Sequence, residues 1–223
     1  MKARAVKTFP VGQDWMYEPK WDGFRCLIFR DEENIFLQSR TGKSLSSAFP
    51  EIVTAFQSVS LKSFVLDGEL AMPTESGFSF DGLVNRLRLG SVRIAIEARD
   101  SPAIYITFDM LANSKNLLGS PFRLRHRILE RFFENSVPRS LPLYLSASTE
   151  DLSAVEKWIG QEFLDLFFTG SRAVIVRMPN LGKRLQNFHV RPDTMKVSHF
   201  VNERLQPIPP FSQPLCEWRS GFH

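Results

Sequence analysis

Apolar and polar positions change their period along the chain, and the period predicts the elements. Residues 24–30 (FRCLIFR) and 34–40 (NIFLQSR) are apolar-rich runs joined by the polar stretch DEE, which predicts a β-hairpin. In 46–59, Phe49, Ile52, Val53, Phe56 and Val59 recur at helical spacing, with Pro50 in the first turn, where its missing N–H costs nothing. Residues 63–73 (SFVLDGELAMP) read as a strand that runs into an acidic turn and out again. Residues 80–89 read as a helix, and 103–111 (AIYITFDML) as a buried strand by their branched and aromatic content. Residues 121–136 predict a basic helix with Leu124, Ile128, Leu129, Phe132 and Phe133 on one side. Then come a strand (141–147) and a helix (149–168) capped by Thr149, with Glu150 and Asp151 in its first turn. Strands at 172–178 and 195–200 follow, and residues 201–223 form a proline-rich tail. This order predicts an α+β fold with largely antiparallel sheets, in a domain over 1–200.

The 223 residues are 43% hydrophobic and 23% charged, the balance of a globular chain with a core, and most of the twenty phenylalanines are expected in it. A net charge of +4 permits a phosphate-rich partner without demanding one. Cys26 lies in the apolar run CLIF, which predicts a buried thiol rather than a disulfide with Cys216. No Cys/His spacing suggests structural zinc. No run approaches the ~20 apolar residues of a membrane span, and the N-terminus lacks the apolar segment of a secretory signal. The expected compartment is a reducing cytoplasm.

The stretch EPKWDGFR (18–25) carries the candidate chemistry. A lysine is protonated near neutral pH unless burial or neighbouring cations lower its pKa from about 10.4. Arg25 and a bound metal are the candidate cations for Lys20, and Gly23 lets the chain turn so that the lysine faces a pocket. The same letters are also ordinary turn chemistry ahead of a strand. Three further stretches, SRTG (39–42), LDGEL (66–70) and FDML (108–111), place polar or aromatic side chains where strands can converge on one pocket.

The four stretches and their order resemble the adenylation domain of ATP-dependent DNA ligases, and most closely the bacterial end-joining type. The wider family of lysyl-nucleotidyl transferases includes RNA ligases and capping enzymes. The resemblance implies an ATP-grasp-like nucleotidyltransferase fold of two antiparallel sheets with flanking helices. It implies that Lys20 attacks the α-phosphorus of ATP to form lysyl-AMP. The AMP then passes to the 5′-phosphate of a DNA nick, and the 3′-hydroxyl displaces it. It assigns Glu18 to the adenine amino group, Arg25 and Arg40 to ribose and phosphates, Glu69 to a ribose hydroxyl, Phe108 to stacking on adenine, and Glu69 with Asp67 to magnesium. It further implies nicked duplex DNA as partner, end-joining or repair proteins as associates, no membrane, and a monomer.

The family pattern next has a carboxylate, a glycine and a lysine around an apolar strand, then a strand with two lysines. Here Arg172, Ala173 and Arg177 flank the apolar AVIV, so Arg177 takes the cofactor-binding lysine's place, and Lys196 is followed by Ser198. An arginine at 4 Å repels a unit positive charge by roughly 4 kcal/mol at an effective dielectric of about 20, and a divalent ion by twice that. His199 offsets the missing second lysine only when protonated. The 23 residues after position 200 are too few for the OB-fold that follows in such ligases, so no OB-fold is expected. Alternative readings are a degenerate relative that binds nucleotide or DNA ends without sealing, and a partner-binding module that keeps the motifs as scaffold.

Overall fold

The computed structural model describes residues 15–75, 77–159 and 174–177. Strand β1 (Met16–Pro19) leads through a short loop into β2 (Phe24–Asp31), which turns back as β3 (Asn34–Ser39). The turn needs Glu32 at φ 53°, a strained value for a residue with a Cβ. Two bonds hold it there: Glu32 N–H donates to Lys62 O at 2.8 Å, and Arg30 Nε donates to Glu32 O at 3.0 Å. The rest of the Arg30 guanidinium, fully buried, donates to Phe56 O at 2.6 Å and Val59 O at 2.7 Å, carbonyls at the end of helix α1 (Pro50–Gln57) and just after it. Pro50 starts α1 as expected.

Strand β4 (Ser63–Ala71) departs from the sequence reading. The expected acidic turn is absent: Asp67, Gly68 and Glu69 sit inside a continuous strand, with register shifts against its neighbour at Val65/Leu66 and Asp67/Gly68. The small hairpin of β5 (Pro73–Thr74) and β6 (Gly77–Phe78) precedes α2 (Phe80–Arg86), capped by Ser79 Oγ accepting from Gly82 N–H at 2.9 Å. Helix α3 (Ser91–Asp100) has no counterpart in the sequence reading. Strand β7 (Ile104–Asn113) follows, then β8 (Lys115–Asn116), α4 (Phe122–Ser136), β9 (Leu143–Leu145), α5 (Leu152–Ile159) and β10 (Val174–Arg177). Helix α5 starts later than expected. Asp151, not Thr149, caps it, accepting from Ser153 N–H at 2.9 Å, while Thr149 is drawn into a bridge with Tyr17. Leu124, expected on the apolar side of α4, is 41% exposed; the buried stripe runs through Phe122, Leu129 and Phe132.

The main sheet runs β3-β2-β4-β7-β8, all antiparallel, with β9 parallel to β7. A second, two-stranded sheet pairs β1 with β10 antiparallel. The α+β architecture with antiparallel sheets is thus as expected, and no barrel occurs among the described residues. One face of the main sheet carries the large core: Ile28, Phe64, Leu66, Tyr105 and Met110 pack against Phe49 just before α1, Ile52 and Phe56 of α1, and Leu129 and Phe132 of α4. The other face has apolar clusters at its two ends, Leu27, Phe29, Val65 and Leu111 at one and Ala71, Ile104 and Ile106 at the other, with polar residues between them.

Gly68 faces the large core with no room for a side chain. A Cβ there would lie 2.5 Å from Ile106 O and 2.6 Å from the Tyr105 hydroxyl, which donates to Cys26 O at 2.9 Å. The carbonyl is backbone and has nowhere to go. Gly68→Ala is expected to destabilise the fold by about 1–3 kcal/mol, the range for overpacked cores, read as a lower urea midpoint at unchanged m-value.

Candidate active site

Lys20 opens the loop between β1 and β2. Its ammonium is paired with Asp22, and its side chain is 45% exposed. The loop lies flat on β4 because residue 23 has no side chain: a Cβ there would stand 2.0 Å from Leu70 O and 3.0 Å from Glu69 Cγ. Close approach, rather than the turn conformation expected from sequence, is what requires the glycine. It brings the Lys20 charge within reach of Glu69.

Register sets the rest. Arg25 stands opposite Glu69 on β4, and Asp67, two residues along, shares that face. Arg25 reaches diagonally to Asp67 with both ends of its fork, Nε to Oδ1 at 3.0 Å and Nη2 to Oδ2. The guanidinium carbon also lies 5.7 Å from the centre of the Phe108 ring. Phe108 sits at a bulge. The ladder passes from Asp67–Asp109 to Gly68–Thr107 and skips residue 108. Phe108 keeps the side of Ile106, two residues before it, and the extra residue shifts the alternation after it, so that Asp109 faces Asp67 and Met110 turns to the large core.

Glu69 is the electrostatic outlier. Burial, and then the negative charge of Asp67, push its carboxyl up to about 8; Arg25, a backbone hydrogen bond from Gly23 and Lys20 only partly offset this. Near neutral pH it is mostly protonated, able to donate a hydrogen bond as well as accept one.

The structure therefore brings Lys20, Arg25, Asp67, Glu69 and Phe108 together. Glu18 is buried on β1, opposite Ile175 of β10, and Arg177 occupies the register position opposite Met16. Arg40 is exposed beyond the end of β3, and no hydrogen bond or ion pair joins it to the cluster among the described residues. Lys196, Ser198, His199, Arg172 and Ala173 lie outside the described residues, as do 201–223. Sequence reading gave no role to Asp109, which is buried opposite Asp67 and held by Arg125. Its signal was there: it is a carboxylate inside an otherwise apolar strand.

Both carboxylate oxygens of Asp67 are taken by Arg25, so as it stands the pair offers a magnesium ion only the Glu69 carboxyl, too few oxygen ligands to hold it alone. No cluster of three His, Cys, Asp or Glu side chains suited to a metal occurs among the described residues. A cavity of about 380 Å³ lies elsewhere, between α4 and residues 148–150, and includes none of the candidate residues. Among the described residues no helix is long and apolar enough to cross a membrane.

The family model described as "ATP dependent DNA ligase domain" matches residues 1–165. DNA ligase C1 of Mycolicibacterium smegmatis is 36% identical over 165 residues, which cover 71% of this chain and 46% of that protein. DNA ligase C of Mycobacterium tuberculosis is 31% identical over 183 residues, 81% of this chain and 49% of that one. The chain thus spans about half the length of these curated relatives. Among solved structures, a mycobacterial DNA ligase D complexed with ATP and MES shares the fold at a TM-score of 0.52 and 22% identity, over 77% of this chain and 52% of that one.

The raised pKa of Glu69 has a measurable consequence. The folded state holds the proton from about pH 4.5 to about 8, where the unfolded chain has released it. Glu69 therefore makes stability fall as pH rises through that window. Glu69→Gln removes this contribution. Thermal unfolding followed from pH 5 to 8 is expected to show a shallower decline for Glu69→Gln than for the wild type.

Proposed function

The chain belongs to the ATP-dependent DNA ligase domain family, and from that premise we propose that it performs the adenylation step on Lys20. The Lys20 amine, freed of its proton, attacks the α-phosphorus of ATP. A P–N bond forms, the bond to the β-phosphate oxygen breaks, and pyrophosphate leaves with its electron pair. The AMP then passes to the 5′-phosphate of a DNA nick, and the 3′-hydroxyl of the adjoining strand displaces it to seal the nick.

The observation that carries this reading is the seating of the Lys20 loop on β4, which brings the lysine's charge within reach of Glu69, the residue opposite Arg25. In the resting state Asp22 holds the ammonium, so the amine must leave that partner before it attacks. Phe108 is assigned to the adenine ring, a stacking contact of about 1–3 kcal/mol by analogy with bases on aromatics. Its ring is fixed by the Arg25 guanidinium, which Asp67 in turn holds. Glu69, as a protonated carboxyl, suits a sugar hydroxyl, since it can donate and accept. Glu18 is assigned to the adenine edge, and Arg40, Arg177 and Lys196 to the phosphates.

Magnesium, which shields phosphate charge, is assigned to the nucleotide rather than to the Asp67–Glu69 pair. We place the domain over 1–200, with 201–223 as a tail. A nicked DNA duplex is the partner, with end-joining proteins as further associates and the chain acting as a monomer. The buried Cys26 thiol suits a reducing cytoplasm.

The test is incubation of the 223-residue chain with α-labelled ATP and magnesium. The wild type is expected to acquire a covalent label that acid removes and alkali does not. Lys20→Ala and Lys20→Arg are expected to acquire none. An unlabelled wild type that still binds ATP would mark a nucleotide binder instead.

A further inference from the structure

Residues 146–150 lie outside the four motif stretches, yet they grip the Lys20 loop from both sides. Upstream of the lysine, Tyr17 and Thr149 exchange backbone hydrogen bonds: Tyr17 N–H to Thr149 O at 2.8 Å, and Thr149 N–H to Tyr17 O at 3.0 Å. Downstream, the Trp21 indole Nε1–H donates to Ser146 Oγ at 2.9 Å. Ser146 is a fixed acceptor. It is 2% exposed, its N–H donates to Thr107 O at 2.8 Å in continuation of the β9–β7 pairing, and its hydroxyl donates to Ala147 O at 3.3 Å. With the hydroxyl proton directed to Ala147, a lone pair is turned to the indole. The Trp21 ring meets Phe78 edge-on at 6.3 Å and packs with Ala71, Ile104 and Ile106. On its far side the segment is tied to α4, by Ser148 Oγ and His126 Nε2 at 2.8 Å and by the Glu150–Arg123 ion pair.

We propose that residues 146–149 are a brace for the nucleophile loop, and that Trp21 and Ser146 are positioning residues for adenylation. This rests on the assignment of Lys20 as nucleophile. The chemistry demands such a device. Lys20 has a long, partly exposed side chain on a short loop, so its reach is only as well defined as the backbone beneath it. The β1 pairing fixes the chain just before the lysine, and Gly23 fixes it three residues after. Between them the indole is the anchor nearest to Lys20, and it is held by a group on a different part of the sheet. A misplacement of about 1 Å at a reacting atom can cost on the order of a hundredfold in rate. The plain alternative is that Trp21 only fills space over the Ala71–Ile104–Ile106 cluster. That role would alter stability and leave the rate of an intact enzyme alone.

Trp21→Phe keeps the ring and removes the donor, and Ser146→Ala removes the acceptor. In the full chain, three quantities are measured for each variant and for the double: the single-turnover rate of lysyl-AMP formation, the Kd for ATP, and Tm. Each single change is expected to slow adduct formation about tenfold while shifting the Kd by less than about twofold. The double variant is expected to be no slower than the slower single, because both changes break one bond. Rates equal to wild type, rate losses that appear only as weaker ATP binding, or losses that multiply in the double variant would overturn the brace. A wild type that forms no adduct overturns the assignment of Lys20 itself, a separate result read before any variant is made.

Discussion

Two buried aspartates face each other across the middle of the sheet. Asp67 of β4 and Asp109 of β7 are register partners, exposed by 1% and 2%. At a cross-strand separation of about 5 Å, two such charges repel by roughly 3 kcal/mol at an effective dielectric of about 20, before any cost of desolvation. Each therefore has its own arginine. Arg125 comes from α4 and forks onto Asp109 with two contacts of 2.8 Å. Arg25 comes from the start of β2 and forks onto Asp67. The first pair clamps α4 to β7. The second ties the strand that follows the Lys20 loop to the centre of the sheet. Burial raises the neighbouring Glu69 carboxyl, and the negative charge of Asp67 adds to it.

Much of this was legible where burial imposes a period. The hairpin at 24–40, helix α4 and strand β7 appear nearly where the apolar pattern puts them. Helix α3 was not legible, for a physical reason. Val92, Ile94 and Ile96 alternate like strand residues, and only Ile94 is buried, so no apolar face betrays the helix. The DGE stretch misled in the opposite direction. Two acids around a glycine look like a turn, but here the glycine admits the Tyr105 ring and the acids line a polar floor.

The site was legible as a set of letters and illegible as a geometry. Lys20, Glu69 and Phe108 could be named from sequence, but not the bulge after which Asp109 rather than Met110 faces Asp67. Nor could the carboxylates be sorted into roles. Asp67 and Glu69 are both acidic in sequence; in the fold one is locked to an arginine and the other keeps its proton. Ser146 gave no signal, since a lone serine after a short strand is unremarkable until the indole is seen to reach it.

The pairing of β1 with β10 joins Met16–Pro19 to Val174–Arg177, segments more than 150 positions apart. A chain emerging from the ribosome at about 5–20 residues per second leaves its first strand without that neighbour for on the order of ten seconds. The main sheet, whose strands all lie within residues 24–145, can form in that interval. The strand that leads into the Lys20 loop is thus among the last to be locked, and nascent chains of this protein carry a finished main sheet before that strand gains its partner.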